Sequence, residues 1–260
     1  FRLRRHRLRR LHRKLVVVDG IRALVGGINI IDDQNTPAGL GPRFDFAVQV
    51  EGPVLAAIHA TVRRMWENVA WVNFRRRFRV SVTTLPSCGA VGDQWAAFLI
   101  RDNIRHRYDI ANAYIEAIEA ARQEVIIANA YFLPGIRFRH ALVDAARRGV
   151  RVSVLLQGST DHPLLRDAAR ALYGALIDSG VNVFEYVGGF LHAKVAVIDG
   201  LWATVGSSNI DPMSLLVAKE ANLVVQDRRF AETLRQPLLR AMAERAVHRL
   251  GEDLKKRPWH

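Results

Sequence analysis

Cysteine is nearly absent. Cys88 is the only one in 260 residues, so no disulfide framework can form within the chain, and the composition fits a reducing compartment. Also missing is any run approaching the ~20 consecutive apolar residues that span a bilayer. The segment Phe1 to Lys14 is rich in Arg but lacks the apolar core and cleavage site of a signal peptide. The chain opens on Phe1 rather than Met, which suggests the remainder of something longer. Acidic residues are few, 25 against 38 Lys and Arg. The resulting net charge of +13 attracts polyanions, whether nucleic acid, anionic lipid or a phosphorylated substrate, and does not choose among them. With 50% hydrophobic residues, the chain can bury a substantial core as one large domain or two ordinary ones.

What is present is an internal repeat. LHRKLVVVDG at Leu11 to Gly20 matches LHAKVAVIDG at Leu191 to Gly200, and at the same offset Gly26 pairs with Gly206, Asn29 with Asn209 and Ile30 with Ile210. In each copy a β-branched run follows the Lys and ends at Asp-Gly, which reads as a buried strand closing in a turn. Alternation along that strand puts His12 with Lys14, and His192 with Lys194, on one face.

Before the second motif the pattern alternates. Helices are predicted over Ala111 to Arg122, Phe138 to Arg148 and Leu164 to Asp178, the last two closed by Gly149 and Gly180. Strands are predicted over Glu124 to Ala128, Val150 to Leu156 and Val181 to Tyr186. This is an α/β fold of duplicated α/β units with mainly parallel sheets and helices outside, the first unit truncated at its amino terminus. We expect a first half at 1–79, a linker at 80–108 carrying Pro86, Gly89 and Gly92, and a second half at 109–260. A long helix interrupted at Gly52 and Pro53 is expected over Gln49 to Phe74, another helix over Arg229 to Arg249, and a frayed end at Leu254 to His260.

The duplicated spacing His-x-Lys-x4-Asp suits phosphodiester chemistry. One neutral imidazole attacks phosphorus and a second group protonates the leaving alcohol; two motifs supply two imidazoles, His12 and His192. Lys14 and Lys194, the amides of Asn29 and Asn209 and the Ser207 hydroxyl are candidates to hold the non-bridging oxygens without metal or cofactor, since a lysine within the strand would repel a cation. Asp45, in the strand FDFAVQV, and Glu220, in KEANLVV, are candidates to fix the imidazole tautomers. Asp19 and Asp199 complete the motifs, with contact to substrate or bracing of their loops as their two possible roles.

These residues resemble the phospholipase D superfamily, whose signature is this motif followed by Gly-Ser-x-Asn. The second copy keeps it as Gly206, Ser207, Ser208 and Asn209; the first reads Gly26, Gly27, Ile28 and Asn29, so Gly27 supplies no hydroxyl. Within the superfamily, HRKLVVVDG, VGGINI, RDN at Arg101 to Asn103, IIANAYFLPG and ATVGSSNIDPMSLLVAKEANLVV resemble bacterial cardiolipin synthases of the B type over nearly the whole chain. The resemblance implies transfer of a phosphatidyl group from one phosphatidylglycerol to another with release of glycerol, His12 as nucleophile and His192 as acid, the roles reversing in the second step. It also implies a peripheral position on an anionic membrane at the cytoplasmic face, and no nucleic-acid partner. A hydrolase giving phosphatidic acid and a superfamily nuclease are the enzymatic alternatives, and a non-catalytic nucleic-acid-binding protein is another; matched histidines argue against the last. The clusters Arg2 to Lys14, Arg75 to Arg79 and Lys255 to Arg257 are candidates for headgroup docking, or for a solvated face. Trp66, Trp71, Phe74 and Phe78 fit core packing or insertion at the interface, and Tyr131 and Phe132 line or fill a lipid cleft.

Overall fold

The computed structural model describes residues 11–37, 39–72, 89–158, 173–212, 214 and 218–251. In chain order its elements are β1 (Lys14–Val18), β2 (Arg22–Gly26), β3 (Arg43–Phe44), β4 (Ala47–Val50), α1 (Leu55–Val72), β5 (Trp95–Arg101), α2 (Asp109–Ala120), β6 (Glu124–Asn129), α3 (Ile136–Arg147) and β7 (Arg151–Gln157). There follow β8 (Asn182–Tyr186), β9 (Phe190–Leu191), β10 (Lys194–Ile198), β11 (Trp202–Gly206), β12 (Glu220–Gln226), α4 (Arg228–Arg245) and β13 (Ala246–Arg249).

An eight-stranded sheet in the order β13-β8-β7-β6-β10-β11-β12-β5 forms the centre. β6, β7 and β8 run parallel, as the alternating pattern predicts, while the flanking pairings are antiparallel and make the sheet mixed. Its central strands are apolar on both faces because both are covered. Val125 and Ile127 of β6 pack with Ile118 of α2 and Leu142 of α3, whereas Ile126 and Ala128 face Leu234 and Leu238 of α4. α3 stops where Gly149 takes φ +87. The Arg148 side chain donates to the carbonyls of Ile118 (3.1 Å) and Glu119 (3.0 Å) at the end of α2, a favourable place for a cation. Asp227 caps α4, its carboxylate accepting from the Phe230 N–H at 2.7 Å.

A second sheet, β1-β2-β4, repeats the antiparallel unit β10-β11-β12: Gly26 stands opposite Ala47 as Gly206 stands opposite Asn222. The outer edge of β10 is taken by β6, with Lys194 opposite Asn129. β1 has no such neighbour among the described residues, and Val16 and Val18 are 39% and 47% exposed. The small sheet is held to the large one by a cluster in which Ala23, Val25, Val50, Leu55 and Ile58 meet Leu223 and Val225 of β12.

Three local expectations change. Gln49 and Val50 belong to β4 and the helix starts only at Leu55, because Gly52 at φ +89 and the following Pro53 turn the chain before helix can form. Residues 95–101, inside the expected linker, form β5 and pair with the whole of β12; WAAFLIR has the apolar character of a covered strand, and the Pro and Gly signals lie before it. The last helix ends at Arg245, and Ala246–Arg249 joins the sheet edge, where His248 stacks on Phe184 (4.6 Å) and Arg249 pairs with Glu185. Phe132 fills rather than lines a cleft: it is buried and bridges Ile210. Trp66 is half exposed. The Trp71 side chain, Phe74, Phe78, Cys88, the basic clusters up to Arg10, at Arg75 to Arg79 and at Lys255 to Arg257, and the end from Leu254 lie outside the described residues, as do 164–172 of the expected helix.

Ile58, fully buried between the sheets, provides a test of how they are joined. Ile58→Ala should cost about 2–5 kcal/mol by cavity formation, measured by urea denaturation; a loss below about 1 kcal/mol would mean that this cluster does not hold the small sheet.

Candidate active site

Each motif histidine enters the site on a backbone contact with the other half. Leu11 bridges Lys219 in parallel and the His12 N–H donates to the Lys219 carbonyl at 3.1 Å. Likewise β9 runs parallel to β3, and the His192 N–H donates to the Phe44 carbonyl at 2.9 Å. Lys219 precedes Glu220 as Phe44 precedes Asp45. These are one contact made twice, and they bring the carboxylate of each half beneath the imidazole of the other. Asp45 itself sits in the break between β3 and β4 rather than within a continuous strand.

His192 Nδ1 lies 2.6 Å from Asp45 Oδ2, and His12 Nδ1 lies 3.0 Å from Glu220 Oε2 and 3.1 Å from the Ser207 carbonyl. A carboxylate and a carbonyl accept, so each Nδ1 carries the donated proton. Each Nε2 is left without a protein partner among the described residues, able to attack when unprotonated or to act as an acid when it bears a second proton. Asp45 and Glu220 thus hold the imidazoles crosswise.

Alternation along the strand directs each lysine back under its histidine. Lys14 Nζ donates to the His12 carbonyl at 2.9 Å, and Lys194 Nζ to the His192 carbonyl. Lys194 is completely buried, and this burial lowers its pKa to about 7 against the opposing pull of Asp45, with the Lys14 charge lowering it further and Glu220 resisting. The Lys14 pKa is also lowered by burial, against Glu220 and Asp45. Both lysines feel both carboxylates, which places the four charges in one electrostatic environment. Burial pushes the His192 pKa down to about 4, although the hydrogen bond to Asp45 opposes this; Lys194 adds to the lowering.

The remaining expected residues fall differently. The Ser207 hydroxyl is fully buried and donates to Glu220 Oε2 at 2.6 Å, while accepting from the Ala221 N–H at 3.0 Å, so it is committed to the carboxylate rather than directed at a phosphate. Asn209 is buried, its side-chain carbonyl without a partner among the described residues, and Asn29 is half-buried. Asp19 and Asp199 follow the far ends of β1 and β10, seven residues beyond the histidines and so about 23 Å along the chain at ~3.3 Å per residue. With Asp19 at φ 52 and Gly20 at φ 67, and Asp199 at φ 51 and Gly200 at φ 58, each pair makes a tight hairpin turn of the kind Asp-Gly favours. The Asp199 carboxylate accepts the backbone N–H groups of Arg122 (2.9 Å), Gln123 (2.8 Å) and Glu124 (2.9 Å). Burial would raise its pKa, but these three donors outweigh it and hold it below the usual range. Asp199 is thus placed as a loop brace, and Asp19 holds the matching turn position at the exposed end of β1.

Sequence reasoning misses the arginines around the site. Arg13, the residue between His12 and Lys14, donates to the carbonyls of Glu220 and Arg101, both at 2.8 Å. Arg101 is buried opposite Glu220 and donates to the Ala218 carbonyl and to Asn103 at 2.9 Å. Arg43 stacks over Phe190 at 5.1 Å and its charge reaches His192. The only signal for Arg13 is that Ala193 takes its place in the second motif; Arg101 is hidden by reading its segment as a connector.

Residues 114–242 match the family model for the phospholipase D-like domain of cardiolipin synthase. Cardiolipin synthase B of Escherichia coli (strain K12) is 41% identical over 269 aligned residues, which cover 100% of this chain and 62% of that protein. The chain therefore spans 62% of the length of this curated relative. The structure of phosphatidylserine synthase from Haemophilus influenzae Rd KW20 aligns with 96% of this chain and 65% of its own at TM-score 0.66 and 12% identity. That of Nuc, a phospholipase D family member from Salmonella typhimurium, aligns with 61% of this chain and 99% of its own at TM-score 0.52 and 18% identity. At such identities these two structures share the fold.

Two measurements test the geometry. Asp199→Ala should cost about 1–3 kcal/mol by removing the acceptor of three backbone donors, of which the Glu124 N–H is the part-buried one, while catalysis per folded molecule persists; loss of activity with unchanged stability would return Asp199 to the chemistry. Unfolded His192 takes up its proton near pH 6.5 and folded His192 near pH 4. The unfolded state therefore binds more protons across that window, and stability falls as the pH drops from 6.5 to 4. The melting temperature should follow, with a shallower slope in His192→Gln; identical slopes in the two proteins would show that His192 titrates normally.

Proposed function

We propose, since the chain belongs to the phospholipase D superfamily, that its two His-Lys pairs form a single phosphatidyl-transfer site working through a phosphohistidine. The observation that supports this most is the crossed pairing of His12 with Glu220 and His192 with Asp45. It equips two imidazoles with a fixed tautomer and a free Nε2, which is what attack on phosphorus and protonation of a leaving alcohol require.

Burial distinguishes the two rings. His192 is kept neutral, the form that attacks. His12, with its side chain 34% exposed against 11% for His192, remains to supply the proton. On this reading His192 is the nucleophile and His12 the acid, the reverse of the order carried over from the superfamily. Nε2 of His192 forms a bond to phosphorus as the phosphorus–oxygen bond to glycerol breaks, and the departing oxygen takes the proton from His12. His12, now neutral, removes the proton from an incoming hydroxyl, whose oxygen displaces His192. Lys14 and Lys194, with Asn29 and Asn209, are the groups proposed to meet the non-bridging oxygens as charge builds on them. Asp45 and Glu220 act through the imidazoles they hold.

The donor we propose is phosphatidylglycerol, and the acceptor a hydroxyl of a second phosphatidylglycerol, giving cardiolipin and glycerol. The match of 114–242 to a cardiolipin synthase domain and the 41% identity to cardiolipin synthase B support this choice. The net charge of +13 supports work at an anionic membrane surface. No helix among the described residues is long and apolar enough to cross a membrane.

Incubation with phosphatidylglycerol vesicles, with cardiolipin, phosphatidic acid and glycerol quantified, tests the reading. Cardiolipin and glycerol should appear together, and His12→Ala and His192→Ala should each abolish both, because the two rings act as a unit. Phosphatidic acid as the sole lipid product would make the protein a hydrolase instead.

A further inference from the structure

The two halves are built alike at the carboxylate yet filled differently. The Gly27 N–H donates to the Phe46 carbonyl and the Ser207 N–H to the Ala221 carbonyl, both at 2.9 Å. The backbone is thus in the same place in both copies. In the second copy a serine side chain projects from that point and its hydroxyl sits 2.6 Å from Glu220 Oε2. In the first copy there is no side chain, and Asp45 occupies the space. A Cβ on Gly27 would lie 2.3 Å from Asp45 Oδ1 and 2.9 Å from both Cγ and Oδ2.

Glycine is not needed here for its backbone freedom, since Gly27 is not among the residues with positive φ. It is needed for room. Aspartate is one methylene shorter than glutamate, so to reach the opposite imidazole its carboxyl group must lie closer to the strand, where a side chain at position 27 would otherwise stand. The donor that serine supplies to Glu220 is replaced at Asp45 by the Phe46 N–H, 2.8 Å from Oδ1. Each carboxylate thus has one local donor and one histidine in the other half.

We propose that Gly27 is a positioning residue for the reaction, and that Gly27 with Asp45 and Ser207 with Glu220 are compensated pairs, exchangeable together but not singly. Gly27 acts on His192 through Asp45, by leaving the volume in which the carboxylate is seated. The inference rests on the function proposed above for its kinetic arm, and on the structure alone for its spectroscopic arm.

The atoms that a new Cβ would meet are the tip of a side chain rather than backbone. Gly27→Ala should therefore fold, with the carboxylate displaced. In the full chain, labelled with nitrogen-15 at histidine, the downfield resonance of the His192 Nδ1 proton should disappear in Gly27→Ala and Gly27→Ser. Turnover on phosphatidylglycerol vesicles should fall roughly 10²- to 10⁴-fold, the range for a misplaced or wrongly oriented catalytic group. The double variant Gly27→Ser with Asp45→Glu should recover the resonance and at least roughly tenfold of the lost rate, which a merely structural glycine would not allow. The proposal is overturned if Gly27→Ala keeps both the resonance and the rate, or if the double variant is no better than Gly27→Ser alone. If the unaltered protein transfers no phosphatidyl group, the functional reading fails while the resonances still decide the pairing.

Discussion

A carboxylate withdrawn from water must find donors or give up its charge. At the centre of this protein two carboxylates, Asp45 and Glu220, are almost wholly shielded from solvent, with side-chain exposures of 4% and 0%. Each takes one donor, an imidazole, from the opposite half of the chain. Much else follows from this requirement: the parallel bridges at Leu11 and β9, the seating of β1-β2-β4 on β12, and the burial of Lys194 between charges of opposite sign. The site is the place where the halves are joined, rather than a cleft added to a finished fold.

The duplicated motif was legible because it is local. Within ten residues it specifies a strand, its face and its closing turn, and both Asp-Gly turns occur where the β-branched runs end. The α/β alternation was legible for the same reason, since β6 and β7 are covered on both faces and read as continuous apolar runs. The crossing of the carboxylates left no trace in the sequence. His192 and Asp45 are 147 residues apart, and His12 and Glu220 are 208 apart. Spacing equally suggests pairing within each half, and only the tertiary bridges decide between the two arrangements. β13 was missed because a short edge strand directly after a helix carries little pattern of its own, and β5 because turn residues upstream of it suggested a connector.

The placing of Asp19 and Asp199 illustrates a limit of motif reading. Residues recurring at fixed spacing are readily assigned to one task, yet a five-residue strand separates the two ends of this motif. One end carries the histidine and lysine of the candidate site, while at the other end of the second copy the Asp199 carboxylate holds the turn that launches β6, the strand paired to β10. Ser207 shows the reverse. It lies near the histidines, but its hydroxyl is used in holding Glu220, so proximity alone did not define its role.

The crossed contacts also have a meaning in terms of symmetry. A contact in which residue i of one unit meets residue j of another, while j of the first meets i of the second, is isologous, the kind made when two identical subunits meet about a two-fold axis. A single unit of this type, folded alone, would hold a histidine without its carboxylate and a carboxylate without its histidine, and only association with a copy of itself would complete both. Duplication within one chain makes that association intramolecular and independent of concentration. It also frees the copies to diverge, as Gly27 and Ser207 have done, which identical subunits could not do.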